Sequence, residues 1–128
     1  MIRDAKNYIL VVDDDPYVLE SISLILNKYG YAVVTCKNAV EALTQLQRAK
    51  YDVIVTDIKM PQISGIELLE RIRDFDTGTP VILMSAYAEL NTAIDAIQKG
   101  VFDFIIKPYK PEYLVYAIGK AVKHIRLM

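Results

Sequence analysis

Three short apolar segments of this chain each end in a residue that could take part in phosphoryl chemistry. Residues 9–12 lead into Asp13-Asp14-Asp15, residues 53–56 lead into Asp57, and residues 104–106 lead into Lys107. If the segments are neighbouring strands, these carboxylates and one ammonium group meet in one crevice. Clustered carboxylates repel each other unless a cation screens them or one is protonated. Oxygen ligands without histidine or thiolate favour a hard ion such as Mg²⁺.

This grouping suits transfer of a phosphoryl group to an aspartate. A carboxylate can attack phosphorus and form an aspartyl phosphate, and the transfer requires mainly positioning and charge neutralisation. Asp14 and Asp57 provide the one or two carboxylates that Mg²⁺ usually takes, with Asp13 as a close or water-mediated partner. Lys107 could neutralise phosphoryl charge as a mobile cation, and the hydroxyl of Ser85 could bond another phosphoryl oxygen.

Each of these residues also has a structural explanation. Residues 13–15 could serve the N-terminus of the next helix, where negative charge is favourable, and for Asp15 capping is the better interpretation. Asp57 could close a strand with an Asx turn, and Lys107-Pro108 could be an ordinary strand exit. Ser85 alone is uninformative. Their coincidence at predicted strand ends favours a functional site.

The elements that must position these residues alternate regularly. Strands are predicted over residues 8–12, 31–36, 52–56, 80–84 and 103–106, and a helical pattern follows each. The strand segments are almost continuously apolar, which is typical of strands covered on both faces. The alternation predicts a parallel sheet with helices on both faces. In such sheets, ligands bind at the edge formed by the carboxyl ends of the strands.

Helix boundaries and buried stripes follow from local patterns. Asp15 and Asn38 are predicted N-caps, with Glu41 as the reciprocal partner of Asn38, and Gly30 and Gly100 are predicted helix stops. The predicted buried stripes are Val18, Ile22, Ile25, Leu26 and Tyr29 in the first helix, Ala42, Leu43 and Leu46 in the second, Ile66, Leu69 and Ile72 in the third, Leu90, Ala93, Ile94 and Ile97 in the fourth (about residues 88–99), and Leu114, Ala117, Ile118, Ala121, Val122 and Ile125 in the fifth.

Composition limits the class of protein. The 128 residues, 53% of them hydrophobic, fit one globular domain with a substantial core. The net charge of −1 gives no electrostatic reason to expect nucleic acid or an anionic membrane as partner. The single cysteine, Cys36, excludes an internal disulfide and fits a small core residue. No apolar run approaches the roughly 18 residues of a membrane span, and no signal-peptide core is visible. We expect a cytoplasmic domain over residues 1–128, ordered from about 8 to 125.

Five segments, in order, closely resemble the receiver domain of two-component response regulators. They are residues 9–16, residues 56–61 with Gly65, residues 83–86, residues 100–104 and residues 106–109. The resemblance covers essentially the whole chain, and the ordered set is specific although each segment alone is weak. Residues 93–109 look most like receivers of transcriptional and hybrid signalling proteins. The resemblance implies a flavodoxin-like, three-layer α/β/α fold with strand order 2-1-3-4-5.

The resemblance also implies roles for the clustered residues. Asp57 matches the aspartate that accepts a phosphoryl group from phosphohistidine on a sensor histidine kinase or phosphotransfer protein, with Mg²⁺ or Mn²⁺ as cofactor. Asp13 and Asp14 match the family's acidic pair, with Asp14 as the direct metal ligand. The backbone carbonyl of Lys59 matches a third protein ligand, and Lys107 matches the family's lysine.

Further implied roles concern a switch. Ser85 matches the switch hydroxyl, Phe104 the rotating aromatic residue, and a cis Lys107–Pro108 bond would fit the family. Lys59 and Tyr87 stand where the family tunes phosphoryl lifetime. The signalling face would comprise the fourth helix, fifth strand and last helix, and would contact an output domain, a docking partner or a second copy. Its exposed candidates are Glu89, Asp95, Gln98, Lys99, Tyr113, Tyr116 and Lys120. Direct binding of nucleic acid or membrane is not expected.

Other functions are less well supported. A degenerate receiver that docks partners without phosphorylation is disfavoured by the intact cluster, and a dehalogenase-type phosphatase would need an aspartate where Lys59 stands. No glycine-rich phosphate loop follows the first strand, which argues against a nucleotide-binding enzyme. We expect no conventional enzyme, but a protein that catalyses phosphorylation and dephosphorylation of its own Asp57. The helical pattern still runs at residues 123–128, which favours a receiver continuing into a longer protein over a stand-alone one.

Overall fold

The chain alternates strands and helices as the sequence predicts. The structure is a computed structural model that describes residues 6–86 and 90–127. The elements are β1 (Tyr8–Val12), α1 (Pro16–Lys28), β2 (Ala32–Cys36), α2 (Ala39–Arg48), β3 (Val53–Asp57), α3 (Gly65–Arg73), β4 (Val81–Ala86), α4 (Leu90–Gln98), β5 (Asp103–Lys107) and α5 (Pro111–Arg126).

The strands form one parallel sheet in the order β2-β1-β3-β4-β5, which confirms the predicted topology. Its register aligns the carboxyl ends of the strands. Val12 pairs with Thr56 across β1 and β3, Asp57 pairs with Met84 across β3 and β4, and Ala86 pairs with Lys107 across β4 and β5. The residues that follow β1 and end β3 and β5 therefore lie at one edge.

Helices cover both faces of the sheet. On one face, α1 and α5 contribute Ile22, Leu26, Leu114 and Ile118 to a core with Val11 and Val55. On the other face, the core combines Leu10 and Ile54 with Leu68, Leu69 and Ile72 from α3 and with smaller residues from α2 and α4. The central strands are buried on both sides, which explains why their sequences are apolar without alternation.

In the part of the chain that the structure describes, side chains cap the N-termini of α1, α2 and α3. The carboxylate of Asp15 accepts a hydrogen bond from Tyr17 N at 2.9 Å, and Asn38 Oδ1 accepts one from Glu41 N at 2.8 Å. Glu41 Oε1 accepts from Lys37 N at 3.1 Å, so the reciprocal bond reaches one residue earlier than predicted. Ser64 caps α3 by accepting from Glu67 N.

Glycines end α1 and α4 where the sequence predicts. Gly30 and Gly100 both have φ of +89°, a conformation that glycine adopts without steric cost. Gly30 N donates to Asn27 O and Tyr31 N to Leu26 O, and the equivalent pair at α4 runs from Gly100 N to Ile97 O and from Val101 N to Ala96 O. This pattern is the Schellman motif, which satisfies the last helical carbonyls.

The predicted buried stripe of α4 is wrong at Ile94 and Ile97. Ile94 and Ile97 are 67% and 62% exposed, and among the α4 side chains that the structure describes, Ala96 is the buried one. Hydrophobic spacing favours the row with the larger apolar side chains, but spacing alone does not say which row of a helix faces the sheet. The small Ala96 faces the sheet, whereas Ile94 and Ile97 face solvent. The side chains of Leu90 and Ala93 lie outside the described residues. Tyr29 is also exposed, because α1 ends at Lys28.

The carboxyl end of α4 is tied to α3. Arg73 Nε and Nη2 donate to the carbonyl of Gly100 at 3.1 and 2.9 Å, and Nη1 donates to the carbonyl of Asp76 at 2.9 Å. Lys99 Nζ lies 2.6 Å from Glu70 Oε2. These contacts hold the turn between α4 and β5 against the end of α3.

The burial of Cys36 and the character of the helices bear on two expectations from composition. Cys36 is buried, and burial with the nearby charge of Glu41 raises its pKa to about 11, which agrees with an inert core residue. Among residues 6–86 and 90–127, none of the helices has the length and apolar character to cross a membrane.

Two leucines of α1 provide a matched test of the packing. Leu26 is fully buried and Leu24 is 67% exposed. We expect Leu26→Ala to lower the free energy of unfolding by about 2–5 kcal/mol, because it leaves a cavity in the core. Leu24→Ala should change it by less than about 0.5 kcal/mol. Urea denaturation of both variants measures the difference, and equal losses would contradict the placement of α1.

Candidate functional site

Three carboxylates converge at the carboxyl edge of the sheet. One side-chain oxygen from each of Asp13, Asp14 and Asp57 lies within 4.8 Å of the others. Asp13 is 1% exposed and Asp57 is 8% exposed, whereas Asp14 is exposed to solvent. The cluster is therefore buried on the side of the sheet and open on one side.

The backbone fixes the two buried carboxylates. Asp13 directly follows β1, and its N–H donates to the carbonyl of Cys36 at 3.1 Å. Asp13 Oδ1 accepts a hydrogen bond from Asp15 N at 2.9 Å, so the side chain also organises the entry to α1. Asp57 is the last residue of β3, one residue later than the predicted strand end, and the whole strand is buried.

Lys107 bridges the two buried carboxylates. Its Nζ lies 3.3 Å from Asp57 Oδ1 and 3.5 Å from Asp13 Oδ2. Lys107 is the last residue of β5, and the Lys107–Pro108 peptide bond is cis, as the resemblance implied. The sequence prediction that carboxylates and an ammonium group from distant segments meet in one crevice is confirmed.

Burial and charge act on this cluster in opposite directions. Burial raises the pKa of Asp13, and the attraction of Lys107 and the hydrogen bond from Asp15 only partly offset it. For Lys107, burial lowers the pKa, but the charges of Asp57 and Asp13 outweigh burial and raise it above its ordinary value. The lysine is therefore held as a cation. For its partner Asp13, the fold disfavours the charged form of the carboxyl group.

The donor set fits a hard divalent cation. All three grouped side chains offer carboxylate oxygen, and the exposed Asp14 leaves one side of the cluster open for the waters that Mg²⁺ retains. A cation would also relieve the repulsion among the three carboxylates. Lys59 is exposed in the loop after β3, and the role implied for its backbone carbonyl stays a prediction.

The implied switch residues lie on β4 and β5. Ser85 is fully buried, follows the partner of Asp57 in β4, and donates its hydroxyl to the carbonyl of Ala86 at 2.9 Å. Phe104 in β5 is half-buried and packs against the core that contains α3. Tyr87 and Glu89 lie outside the described residues.

Two shallow grooves flank the β5–α5 loop. The first, of about 530 Å³, we call the α1 groove, and its lining is Tyr17, Val18, Ser21, Lys107, Pro108 and Tyr109. The second, of about 470 Å³, we call the α5 groove; Phe104, Ile106, Tyr113 and Tyr116 contribute to its lining. Pro108 and Tyr109 line both grooves. Large apolar side chains are also exposed on α4, β5 and α5, namely Ile94, Ile97, Ile106, Tyr113 and Tyr116.

Sequence reasoning gave no role to three residues near the cluster. Thr56 is fully buried, and its Oγ1 donates to the carbonyl of Asp57 at 3.0 Å. Gly65 packs against the backbone of Asp57 and Ile58. The ring of Tyr109 lies near Lys107 and Asp13, and burial raises the pKa of its hydroxyl. All three lie in segments that carry the family resemblance, but spacing alone does not show these contacts.

Comparison with known proteins agrees with this fold and cluster. A model of the response regulator receiver domain matches residues 9–119, and the chain belongs to that family. A crystal structure of a receiver domain protein from Clostridium thermocellum is similar, with a TM-score of 0.91 and 32% identity over 94% of this chain and 98% of that one. A CheY-like receiver domain protein from Methanospirillum hungatei gives a TM-score of 0.91 at 30% identity, covering 95% of this chain and 98% of that one.

Curated relatives are considerably longer than this chain. It is 35% identical to the transcriptional regulatory protein ZraR of Klebsiella oxytoca over 93% of this chain and 27% of the relative. It is 37% identical to the transcriptional regulatory protein GlrR of Escherichia coli over 91% of this chain and 26% of the relative. The chain therefore spans about a quarter of the length of the curated relatives it matches.

The raised pKa of Asp13 leads to a prediction about stability. Because the fold favours the neutral carboxyl group, unfolding free energy should be lost as pH rises above the ordinary pKa of 3.8 through the raised folded value. Without divalent cations, Asp13→Asn should therefore be more stable than wild type at pH 7. The advantage should shrink as pH falls toward 3.8, where the wild-type carboxyl is protonated.

Urea denaturation in the presence of a chelator measures this difference. Asp15→Asn is the matched control, because Asp15 is exposed and asparagine caps a helix about as well as aspartate. Asparagine at position 13 keeps an oxygen that can accept from Asp15 N. A less stable Asp13→Asn variant would mean that the attraction between Asp13 and Lys107 stabilises the fold by more than burial of the Asp13 charge destabilises it.

Proposed function

We propose that this chain is a phosphorylation-dependent signalling switch in which Asp57 is the phosphoacceptor. The observation that carries the proposal is the bridging contact of Lys107, at 3.3 Å from Asp57 and 3.5 Å from Asp13, within a cluster of three carboxylates. Asp57 ends a buried strand and is itself slightly exposed, so that a donor can reach it from one side only.

In the proposed reaction, an oxygen of Asp57 attacks the phosphorus of a phosphohistidine on a sensor kinase or phosphotransfer protein. The new oxygen–phosphorus bond forms as the nitrogen–phosphorus bond breaks, and the leaving imidazole takes up a proton from solvent. Lys107 neutralises charge on the phosphoryl oxygens, which its mobile ammonium group can follow during transfer. The α1 groove, which contains Lys107, offers the donor a surface beside the acceptor.

A divalent cation completes the proposed site. Asp13, Asp14, Asp57 and the backbone carbonyl of Lys59 would hold Mg²⁺ or Mn²⁺. When bound, the ion would neutralise phosphoryl oxygens and the carboxylates that crowd them. Asp13 and Asp57 supply preformed, largely buried oxygens, and Asp14 supplies the solvent-exposed one.

The proposed output is a shift between two conformations. Phosphorylation replaces a single charge by about −1.5 to −2 and adds acceptor oxygens, by analogy with other phosphorylated side chains. Ser85 exchanges its bond to Ala86 for one to the phosphoryl group, and Phe104 turns toward the space left behind. This biases a pre-existing equilibrium and alters the face built from α4, β5 and α5. The exposed Ile94, Ile97, Tyr113 and Tyr116 make that face suitable for protein contact.

The partner of this face is proposed from the relatives. ZraR and GlrR are named transcriptional regulatory proteins, and they are about four times as long as the matched region. We infer that the domain regulates an output domain or docking partner through α4, β5 and α5, with a second copy of the chain as a further candidate. Nucleic acid would be bound by another part of such a protein.

The first test is intact mass after incubation with Mg²⁺ and phosphoramidate. We expect one phosphoryl adduct in the wild type, no adduct in Asp57→Asn, and loss of the reaction when the metal is chelated. Asp52→Asn is a matched control, because Asp52 lies at the opposite end of β3, where its carboxylate accepts from Tyr8 N. An adduct that survives in Asp57→Asn would place the chemistry elsewhere.

A wild type without any adduct leads to a second measurement. Beryllofluoride imitates the phosphoryl group without requiring transfer, so binding of it would show an intact site that rejects the small donor. If beryllofluoride also fails to bind, the chain is better explained as a phosphorylation-independent docking module.

The switch is tested separately with Ser85→Ala. The variant should still form the adduct, because Asp57, Lys107 and the metal ligands are unchanged. It should lose most of the change in amide hydrogen exchange that phosphorylation causes in β5 and α5 of the wild type. Unchanged exchange at Phe104 and Tyr113 in phosphorylated wild type would reject the proposed output face. A full response in Ser85→Ala would reject the role of the hydroxyl alone.

A further inference from the structure

The N-terminus of α3 lies unusually close to the phosphoacceptor strand. Gly65, the first residue of α3, is buried, and its N–H donates to the carbonyl of Ile58 at 2.8 Å. A Cβ atom on Gly65 would overlap the carbonyl oxygen of Asp57. It would also lie 2.9 Å from the carbonyl carbon of Asp57 and 2.9 Å from the Cα of Ile58. Any side chain at position 65 therefore forces backbone to move.

The need for glycine here is steric and does not come from backbone conformation. Within the described part of the chain, only Gly30 and Gly100 among the glycines have positive φ. Gly65 is therefore in a conformation that other residues adopt. What only glycine allows is the approach of α3 to the peptide that links Asp57 to Ile58.

The strand has little freedom to retreat from such a collision. β3 is buried along its whole length and is paired with β1 and β4 on its two sides. The hydroxyl of Thr56 donates a hydrogen bond to the carbonyl of Asp57 at 3.0 Å. The next residue, Ile58, donates its N–H to the carbonyl of Met84 at 3.0 Å. Displacement would therefore tilt the Asp57–Ile58 peptide or push out the loop between β3 and α3.

Both displacements reach the candidate site. Tilting the peptide turns the side chain of Asp57, which lies 3.3 Å from Lys107 Nζ. Opening the loop breaks the hydrogen bond from Gly65 N to Ile58 O, and Lys59 lies in the loop that this bond closes. A displacement of about 1 Å at a reacting group can reduce a rate by about 10²-fold.

We propose that Gly65 is a positioning residue for the phosphoacceptor. Its lack of a side chain seats α3 against the Asp57–Ile58 peptide and thereby fixes the carboxylate of Asp57 and the loop that carries Lys59. The inference rests on the proposed function, because it assigns Gly65 a part in that reaction. It also makes a claim about backbone geometry that holds without metal or donor.

The test compares Gly65→Ala with Gly119→Ala. Gly119 lies inside α5, and a Cβ there meets no atom within 4 Å, so the same change carries no collision. Two quantities are compared: the rate of adduct formation at saturating Mg²⁺, and the amide exchange rate at residue 65 without metal or donor. Circular dichroism and thermal unfolding report whether each variant is folded.

We expect folded Gly65→Ala to form the adduct about 10²-fold more slowly than wild type at saturating Mg²⁺. The amide of residue 65 should exchange faster, because its bond to Ile58 is weakened. Gly119→Ala should match the wild type in both. Wild-type rates of adduct formation and exchange in Gly65→Ala would overturn the proposal.

Two further outcomes separate the possible failures. If wild type forms no adduct, the proposed function fails, while the exchange rate still tests the seating of α3. If Gly65→Ala does not fold, the change is repeated in the Gly119→Ala background, which should be more stable because alanine favours a helix interior. A double variant that still does not fold would overturn the proposal, because Gly65 would then be needed for folding and not specifically for positioning.

Discussion

The contact of Lys107 with Asp13 and Asp57 is the interaction on which the site depends. Two carboxylates are buried at the end of the sheet with a third beside them, and their repulsion works against the fold. The lysine offsets part of that repulsion and remains charged because of it. Each member comes from a different part of the chain, so only the parallel order of β1, β3, β4 and β5 brings them together. The sheet therefore has to be rigid enough to hold like charges close.

That rigidity comes from apolar packing on both faces. The strands that carry Asp13 and Asp57 are flanked by other strands and covered by helices, so their ends have fixed positions. The close contact of Gly65 with the Asp57–Ile58 peptide also fixes the N-terminus of α3 relative to the sheet. Asp14 and Lys59 are exposed on the side of the cluster that faces solvent. A buried inner half and an open outer half suit the proposed site, which would accept a cation and a phosphoryl group in turn.

Local rules predicted much of this structure, and their failures have physical causes. The strands, to within two residues at each end, the caps at Asp15 and Asn38 and the stops at Gly30 and Gly100 depend on short-range chemistry and were found from sequence. The inward face of α4 was not, because Ile94 and Ile97 give a stronger apolar pattern than the row that contains the small Ala96. Which row is buried depends on how closely the helix approaches the sheet. The close contact at Gly65 was also not predicted, because it forms between two backbone segments that a loop separates.

The tie between α3 and α4 has a mechanical consequence. Arg73 and Glu70 hold Gly100 and Lys99, so the carboxyl end of α4 is attached to the end of α3. A helix fixed at one end moves as a lever, and its displacement grows with distance from the fixed end. Small shifts near β4 would therefore be largest at the amino end of α4 and smallest at the turn into β5. The guanidinium group suits this task because its planar donors hold two carbonyls in fixed directions, which a lysine could not do.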